Sequence, residues 1–224
     1  MEETHDAVLA RKLFDESVKL LKEGQYKEAA AVAKGAVRAF RQIAKNDEAI
    51  SLGELAMNLD NLSIILYALG KAEESLSVAN ESVEIFWRIK DSDELYQLLR
   101  ARCLNGLVIR LKGMGKKEEA IESIKKAIKI CRDLSTQDNR SLLNLAVFLN
   151  NLAALVHGEE GIDLLNEAIK IWKKLFVENP TKFLPSLAGG LRDIAILLHE
   201  VGRSEEASAA ARESLDILRK MNQN

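Results

Sequence analysis

The stretch "LGKAEESLSVANESVEIF", from Leu69 to Phe86, decides the fold because the chain repeats it. Similar stretches are "MGKKEEAIESIKKAIKIC", from Met114 to Cys131, and "VGRSEEASAAARESLDIL", from Val201 to Leu218. A small residue near the end of each copy recurs at spacings of 46, 45, 41 and 46 residues, and its occurrences are Ala36, Ser82, Ala127, Ala168 and Ser214. Repeats of this length indicate a repeat protein in which each copy is one structural unit.

Each copy has the pattern of a helical hairpin. A glycine, which can end a helix in the left-handed conformation, stands between the two apolar-periodic segments in four copies: Gly24, Gly70, Gly115 and Gly202. Glutamates follow it, and first-turn carboxylates stabilise a helix N-terminus. A second column of small residues, which allows the two helices to approach closely, holds Ala29, Ser75, Ala120, Gly161 and Ala207. The fourth copy lacks the turn glycine and is shorter by about one helical turn, which preserves the phase of both helices.

The pattern predicts an all-α protein of about five hairpins. Only two prolines interrupt the chain, and alternating β-branched runs are absent. We expect one domain over residues 1–224, with units at approximately 5–47, 48–91, 92–135, 136–179 and 180–224.

The glycine turn with its glutamates, the small residue seven positions later, and "LNNLA" on the preceding helix resemble tetratricopeptide repeats (TPRs) of the long-loop type. The stretch from Leu55 to Phe86 is similar to the repeats of kinesin light chains, and that from Glu178 to Lys220 resembles repeats of bacterial and fungal multidomain signalling proteins. The repeat period overlaps that of HEAT repeats, but the glycine turn favours TPRs. The resemblance implies a right-handed α-solenoid in which the first helix of each hairpin lines a concave groove. It also implies a non-enzymatic interaction module or adaptor that binds a partner peptide or helix in that groove.

The resemblance also indicates which side chains face the groove. Asparagines at the positions of Asn61 and Asn151 clamp the backbone amides of a ligand in peptide-binding relatives, and an amide suits this task because it donates and accepts at once. A structural hydrogen bond between adjacent helices is the alternative for both. Arg11 and Arg102 share another groove column and could hold a carboxylate. The remaining predicted groove residues are Tyr67, Asn105, Asn150, Arg192 and His199.

The histidines and the tryptophans each allow two interpretations. His157 and His199 share one column and could meet in a metal or pH-sensing site, or they could lie on the groove wall by coincidence. No three- or four-ligand spacing accompanies them, so the sequence predicts no metal and no cofactor. Trp87 and Trp172 end second helices, where core packing is the expected role, although Trp87 beside Phe86 would be a partner anchor if exposed.

The composition and charge of the chain indicate which classes of function and partner are not expected. The net charge is −2 and basic residues alternate with acidic ones, so the sequence predicts a salt-bridged outer face and no nucleic-acid partner. No uninterrupted run of about 18 apolar residues occurs, which predicts no membrane partner. The two cysteines, Cys103 and Cys131, favour a reducing compartment and a cytoplasmic location. No phosphate loop, nucleophile elbow or metalloprotease motif occurs, so we do not expect an enzyme.

The C-terminal helix bears on an alternative function, a structural solenoid that forms a homodimer or an arm of a larger complex. Its small residues Ala207, Ala210 and Ala211 resemble the solubilising cap of a repeat array. If Leu215 and Leu218 are exposed instead, dimerisation through this end becomes the better hypothesis.

Overall fold

The computed structural model describes residues 5–46, 49–90, 93–134 and 139–221. These residues form helices and no strands, as the sequence predicts. The helices are α1 His5–Lys22, α2 Tyr26–Ile43, α3 Ala49–Ala68, α4 Ala72–Arg88, α5 Glu94–Gly113, α6 Lys117–Leu134, α7 Asn139–Val156, α8 Gly158–Glu178, α9 Pro180–Glu200 and α10 Ser204–Met221, with a short 3₁₀ turn at Ala44–Asn46.

The helices are consecutive hairpins distributed over two compact units, residues 1–123 and 124–224. In the first unit, α3 packs against both α2 and α4, and α5 packs against α4 and α3. In the second, α8 packs against α7 and α9, and α10 packs against α9. The single domain expected over 1–224 stays a prediction, and the predicted borders at 47/48, 91/92 and 135/136 lie on or beside residues outside the described ranges.

Four hairpins share one turn geometry. The turn glycines have φ between +73° and +81°, and each is followed by a residue whose amide donates to the carbonyl five residues earlier, in the preceding helix. At the first turn, Gln25 N donates to Leu20 O over 2.9 Å, while Gly24 N donates to Leu21 O over 3.2 Å. This Schellman pattern satisfies carbonyls that the end of a helix leaves free. The second helix begins two residues after the glycine, so the spacing predicted from the sequence is confirmed.

The shortened fourth hairpin makes its turn differently. His157 has φ 58° and ψ −173°, and Gly158 follows with φ 57°. His157 N still donates to Ala153 O, and Gly161 N donates to His157 O, so the end of α7 and the start of α8 both keep a helical hydrogen bond although only His157 lies between them. Such a backbone conformation is strained for any residue with a Cβ, and His157 is the one non-glycine residue in the described ranges with positive φ.

The two small columns are the seams of the hairpins. Ala36, Ala127 and Ala168 are fully buried. Serines in these columns donate across the seam to carbonyls of the preceding helix: Ser82 Oγ to Ala56 O over 2.7 Å and Ser214 Oγ to Ala188 O over 2.8 Å. The seams therefore bury little side-chain volume and leave no seam hydroxyl unsatisfied at these two positions.

The second helices carry the predicted salt-bridged face. Lys34 pairs with Glu74 and Arg41 with Glu81, each over 2.8 Å, between α2 and α4. Lys173 pairs with Glu213 over 2.7 Å between α8 and α10. These exposed pairs add little stability individually, so they account for the alternating charges as a solvated surface.

Helix α3 alone among the described helices is long and apolar enough to cross a membrane, with a mean hydropathy of 1.2. About two thirds of it (67%) is buried within the protein, as expected for a core helix. Length and composition are therefore weak evidence for a membrane span.

Candidate functional site

In residues 1–123, Asn61 and Arg11 bond to neighbouring helices of the same unit. Asn61 is buried, and its Nδ2 donates to Ser17 Oγ over 2.8 Å, which ties α3 to α1. Ser17 in turn donates to Phe14 O over 2.7 Å. Arg11 pairs with Glu54 of α3. Of the two roles left open for Asn61, these contacts favour the structural hydrogen bond over the ligand clamp.

Tyr67 belongs to a cluster of aromatic and charged side chains between α3 and α5. Its ring lies 5.7 Å from the guanidinium carbon of Arg110, and its hydroxyl packs over the bare backbone of Gly113. Arg110 is buried and Nη1 donates to Gly106 O over 2.8 Å, but Nε has no hydrogen-bond partner. Asn105 is partly buried on the same helix, and Arg102 is exposed.

Asp60 faces this cluster, and the pKa of its carboxyl group is raised. Burial raises its pKa to about 6, although the positive charges of Arg110 and Arg102 act in the opposite direction. A side chain at Gly106 would meet Asp60 Oδ1 at 2.8 Å, so glycine leaves room for the carboxylate. Arg110 was not among the residues predicted from the sequence, although a signal existed: its column is aliphatic in three other units, with Ile65, Leu155 and Leu197, and holds a second cation, Lys19, in the first unit.

In residues 124–224, two predicted groove residues border a cleft of about 250 Å³ between α7 and α9. Asn150 Oδ1 is buried there without a hydrogen-bond partner, and so is the indole Nε1 of Trp172, a residue that is only 3% exposed. Arg192 lies at the rim, where it donates to Asp193 Oδ1 over 2.9 Å. The cleft is lined by Val147, Asn150, Trp172, Ser186, Gly189, Gly190, Arg192 and Asp193.

Two glycines of α9 give the cleft its shape. A Cβ on Gly190 would lie 2.9 Å from Trp172 Cε3, so this glycine allows the indole to pack against the helix backbone. A Cβ on Gly189 would meet nothing within 4 Å. Gly190 therefore leaves room for the Trp172 ring, and Gly189 leaves open space beside that ring.

A second groove, of about 790 Å³ and mostly apolar, lies between α9 and α10. Arg192 and His199 border it, and its exposed apolar residues are Ile196, Leu215 and Leu218. Leu215 is 53% and Leu218 is 42% exposed, so the condition set for dimerisation through this end is met. In the second hairpin the matching columns hold Val83 and Phe86, which are buried where α5 packs against α4.

The two histidines border different clefts. His157 borders a cleft on the α7 side of α9, with Nδ1 3.9 Å from Glu200 Oε2, whereas His199 borders the α9–α10 groove. No group of three or more His, Cys, Asp and Glu side chains suited to a metal ion occurs within the described residues. Asn151 is partly buried on α7.

The two tryptophans have different environments. Trp172 is in the core, the role expected of it, and Trp87 is 50% exposed, with the guanidinium carbon of Arg100 lying 4.5 Å from its ring centroid. Arg100 Nη2 also donates to Phe86 O and Ile89 O at the end of α4. Trp87 therefore shields a helix-capping arginine and remains an exposed aromatic surface.

Comparison with solved structures places this fold among TPR proteins. The chain superposes on BtubC (BKLC) from P. vanneervenii with a TM-score of 0.79 and 16% identity, over 97% of this chain and 82% of that chain. A putative kinesin light chain with nearly identical TPR-like repeats from Podosopora anserina gives a TM-score of 0.71 and 17% identity over the whole of both chains. The Rap conjugation gene regulator of plasmid pLS20, in complex with the Phr* peptide, gives 0.58 and 14% over 92% of this chain and 52% of that one.

Family comparisons divide the sequence into two matches. Residues 135–174 and 186–224 are similar to anaphase-promoting complex subunit 5. No curated protein matches the chain. Residues 3–139, more than half of the chain, match the family described as Domain of Unknown Function (DUF3856). The protein therefore has a TPR fold and belongs to the DUF3856 family.

Proposed function

We propose that the protein is a non-enzymatic interaction module that binds an extended peptide or helix of a partner protein on the α7–α9–α10 surface. The observation that carries the proposal is that Arg192 borders both the α7–α9 cleft and the apolar α9–α10 groove. A ligand that spans both would bury apolar side chains beside Ile196 and Leu215 while its backbone lies in the α7–α9 cleft, near Arg192 and Asp193. Binding sites of this composition combine apolar contact area with a few fixed polar groups.

Two further facts support a peptide ligand. The Rap regulator, which shares the fold, was solved with the Phr* peptide. In the second hairpin, the columns that match the α9–α10 groove are covered by the helix α5. The groove thus has the side-chain pattern that accepts a helix elsewhere in the same chain.

Selection from a displayed library of peptides tests the proposal. We expect the wild-type protein to enrich a sequence motif, and Ile196→Glu to lose it because a buried carboxylate is costly. The matched control is Val177→Glu, since Val177 is 80% exposed on α8 and borders neither cleft. Equal enrichment by both variants would place the site elsewhere, and no enrichment by the wild type would reject a peptide ligand.

Self-association through the α9–α10 groove is the second candidate. The exposure of Leu215 and Leu218 favours it, but it leaves the α7–α9 cleft, which meets the groove at Arg192, without a ligand. The ligand would then be a second copy of this chain. We expect a homodimer in sedimentation equilibrium that Leu215→Glu dissociates and Val177→Glu leaves intact. A wild-type protein that is monomeric at all concentrations would exclude this candidate.

A further inference from the structure

The α9–α10 groove corresponds to a surface that the second hairpin buries under α5. There, Asp60 of α3 lies beside Arg110 of α5: a Cβ on Gly106 would be 2.8 Å from Asp60 Oδ1 and 3.8 Å from Arg110 Nη1. Tyr67, about two turns further along α3, also meets Arg110, with its ring centroid 5.7 Å from the guanidinium carbon. The helix that covers this surface therefore places a cation beside an acid and an aromatic ring.

The same two columns hold different residues at the open groove. Arg192 stands in the column of Asp60, and His199 stands in the column of Tyr67. Both residues border the groove, and both are exposed. Arg192 donates to Asp193 Oδ1, but that pair joins sequence neighbours at the surface, and Asp193 borders the α7–α9 cleft instead. The acid of the buried interface is thus replaced by a cation at the groove.

The other residues that line the groove leave this positive charge uncompensated on the α10 side. The lining residues of α10 are serines, alanines and leucines. Glu200 of α9 also borders the groove, but its Oε2 lies 3.9 Å from His157 Nδ1, in the cleft on the α7 side of α9. A ligand in the groove therefore meets apolar and small side chains on α10, and hydrogen-bond donors on α9.

We infer that the α9–α10 groove binds a helix of a partner protein that has an apolar face and an acidic side chain where α5 has Arg110, an inference that rests on the proposed function and specifies its ligand. The apolar face would pack on Leu215 and Leu218, as α5 packs against α4 and α3 in the second hairpin. The carboxylate would reach Arg192 and His199, which can both donate hydrogen bonds to it.

The first helix of a second copy fits the groove poorly. Head-to-tail continuation of the array would place α1 there, with Lys19 at the position of Arg110 and Lys12 at that of Cys103. Cys103 is buried in its seam, whereas both lysines are exposed in α1. Lys19 would meet Arg192 as a like charge, which is unfavourable. The charge pattern therefore selects against stacking of this chain on itself and favours a helix of opposite charge.

A helix of the chain itself supplies the probe. Fluorescent peptides with the α5 sequence, Glu94–Gly113, are made unchanged and with Arg110→Glu, and anisotropy follows their binding to the full-length protein. The native α5 covers the matching surface of the second hairpin, which keeps that surface from competing. We expect the Arg110→Glu peptide to bind about three- to tenfold more tightly, because a like-charge contact becomes an ion pair. Leu215→Glu in the protein should abolish the binding of both peptides.

Reversing the charge of the groove separates the preference for an acid from general apolar binding. Arg192→Glu should reverse the order of the two peptides, and the control Lys174→Glu, at an exposed site on α8, should leave the order unchanged. Equal affinities, an order insensitive to Arg192→Glu, or no binding of either peptide would overturn the inference. A wild-type protein that dimerises in sedimentation and excludes both peptides would also overturn it, and would assign the groove to a second copy.

The displayed library distinguishes this inference from the wider function. If peptides are enriched without an acidic position, and Arg192→Glu does not change their enrichment, the proposed function stands and the acidic helix is rejected. If the α5 peptides follow the predicted order but the library yields no motif, the groove is a helix site and the wider surface that includes the α7–α9 cleft is rejected.

Discussion

Residues 1–123 and residues 124–224 both carry asparagines on the first helices of their hairpins, but these asparagines differ in their hydrogen bonding. Asn61 in the first unit reaches Ser17 of the preceding first helix and becomes part of the structure. Asn150 in the second keeps a buried oxygen without a partner at the edge of a cleft. The residues near each asparagine explain the difference. In the first unit the Ser17 hydroxyl accepts a hydrogen bond from the Asn61 amide, whereas in the second unit glycines of α9 leave a cleft beside Asn150. A polar side chain predicted to face the groove therefore indicates a ligand site only where neighbouring residues leave its hydrogen-bonding atoms without a partner.

The largest effect is expected from the two adjacent glycines of α9. Gly190→Ala forces a methyl group against the Trp172 ring, which we expect to lower the free energy of unfolding by about 1–3 kcal/mol through overpacking. Gly189→Ala places a methyl group in open space and should raise it by up to about 1 kcal/mol through helix propensity. Urea denaturation of both variants measures the difference. Equal effects would show that the cleft is not shaped by this pair.

Gly35→Ala on α2 is the matched control for helix propensity. Its Cβ would meet only Leu13 Cδ1 at 3.8 Å, an ordinary contact. It should stabilise the first unit as Gly189→Ala stabilises the second. A loss of stability at Gly35 would mean that propensity alone does not explain either result.

Asp60 should make the first unit sensitive to pH. Its pKa is raised from 3.8 to about 6 in the folded protein, so between these values the folded state binds more protons than the unfolded state. The free energy of unfolding should therefore fall as pH rises from about 4 to about 6, by at most about 3 kcal/mol, and then level off. Asp60→Asn should remove this slope and be the more stable protein at pH 8. The measurement is urea denaturation at a series of pH values, with Asp163→Asn, at an exposed site on α8, as the control.

The two asparagines should separate stability from binding. Asn61→Ala should cost about 1–2 kcal/mol of stability, since it removes a buried hydrogen bond. Asn150→Ala should leave stability nearly unchanged, because its oxygen bonds to nothing in the protein, and should weaken the enrichment of displayed peptides, because Asn150 borders the α7–α9 cleft. Thermal denaturation and the selection of displayed peptides measure the two quantities. The reverse result, a stable Asn61→Ala protein that loses peptide binding, would restore the clamp at Asn61.

The fold could be predicted from the sequence because its signals are periodic. The turn glycines and the small columns recur in phase, and the structure places them at the turns and seams as expected. The site could not be predicted to the same depth, because it depends on which residue lies opposite each polar group. Nothing in the column of Asn150 indicates that Trp172, from a second helix, completes its cleft. Likewise, the spacing of His157 and His199 places them in one column, but they border different clefts.

The smallest effect is expected at the shortened turn of the second unit. The turns of the first unit put glycine in the left-handed conformation, whereas here His157 adopts φ 58° and ψ −173°. His157→Gly should relieve this strain and raise the free energy of unfolding by about 1 kcal/mol. The contact it loses, with Nδ1 3.9 Å from Glu200 Oε2, is exposed and adds little stability.

His199→Gly is the control of opposite sign for this turn. It places glycine inside the last turn of α9 and should lower stability by up to about 1 kcal/mol. Thermal denaturation at fixed pH compares the two variants. A stabilised His157→Gly protein would mean that the strained backbone of His157 lowers the stability of the wild-type protein. Loss of peptide binding in that variant would indicate that the His157 side chain contacts the ligand. If His157→Gly is destabilised instead, the backbone there is not strained, and the imidazole supports the turn through its own contacts.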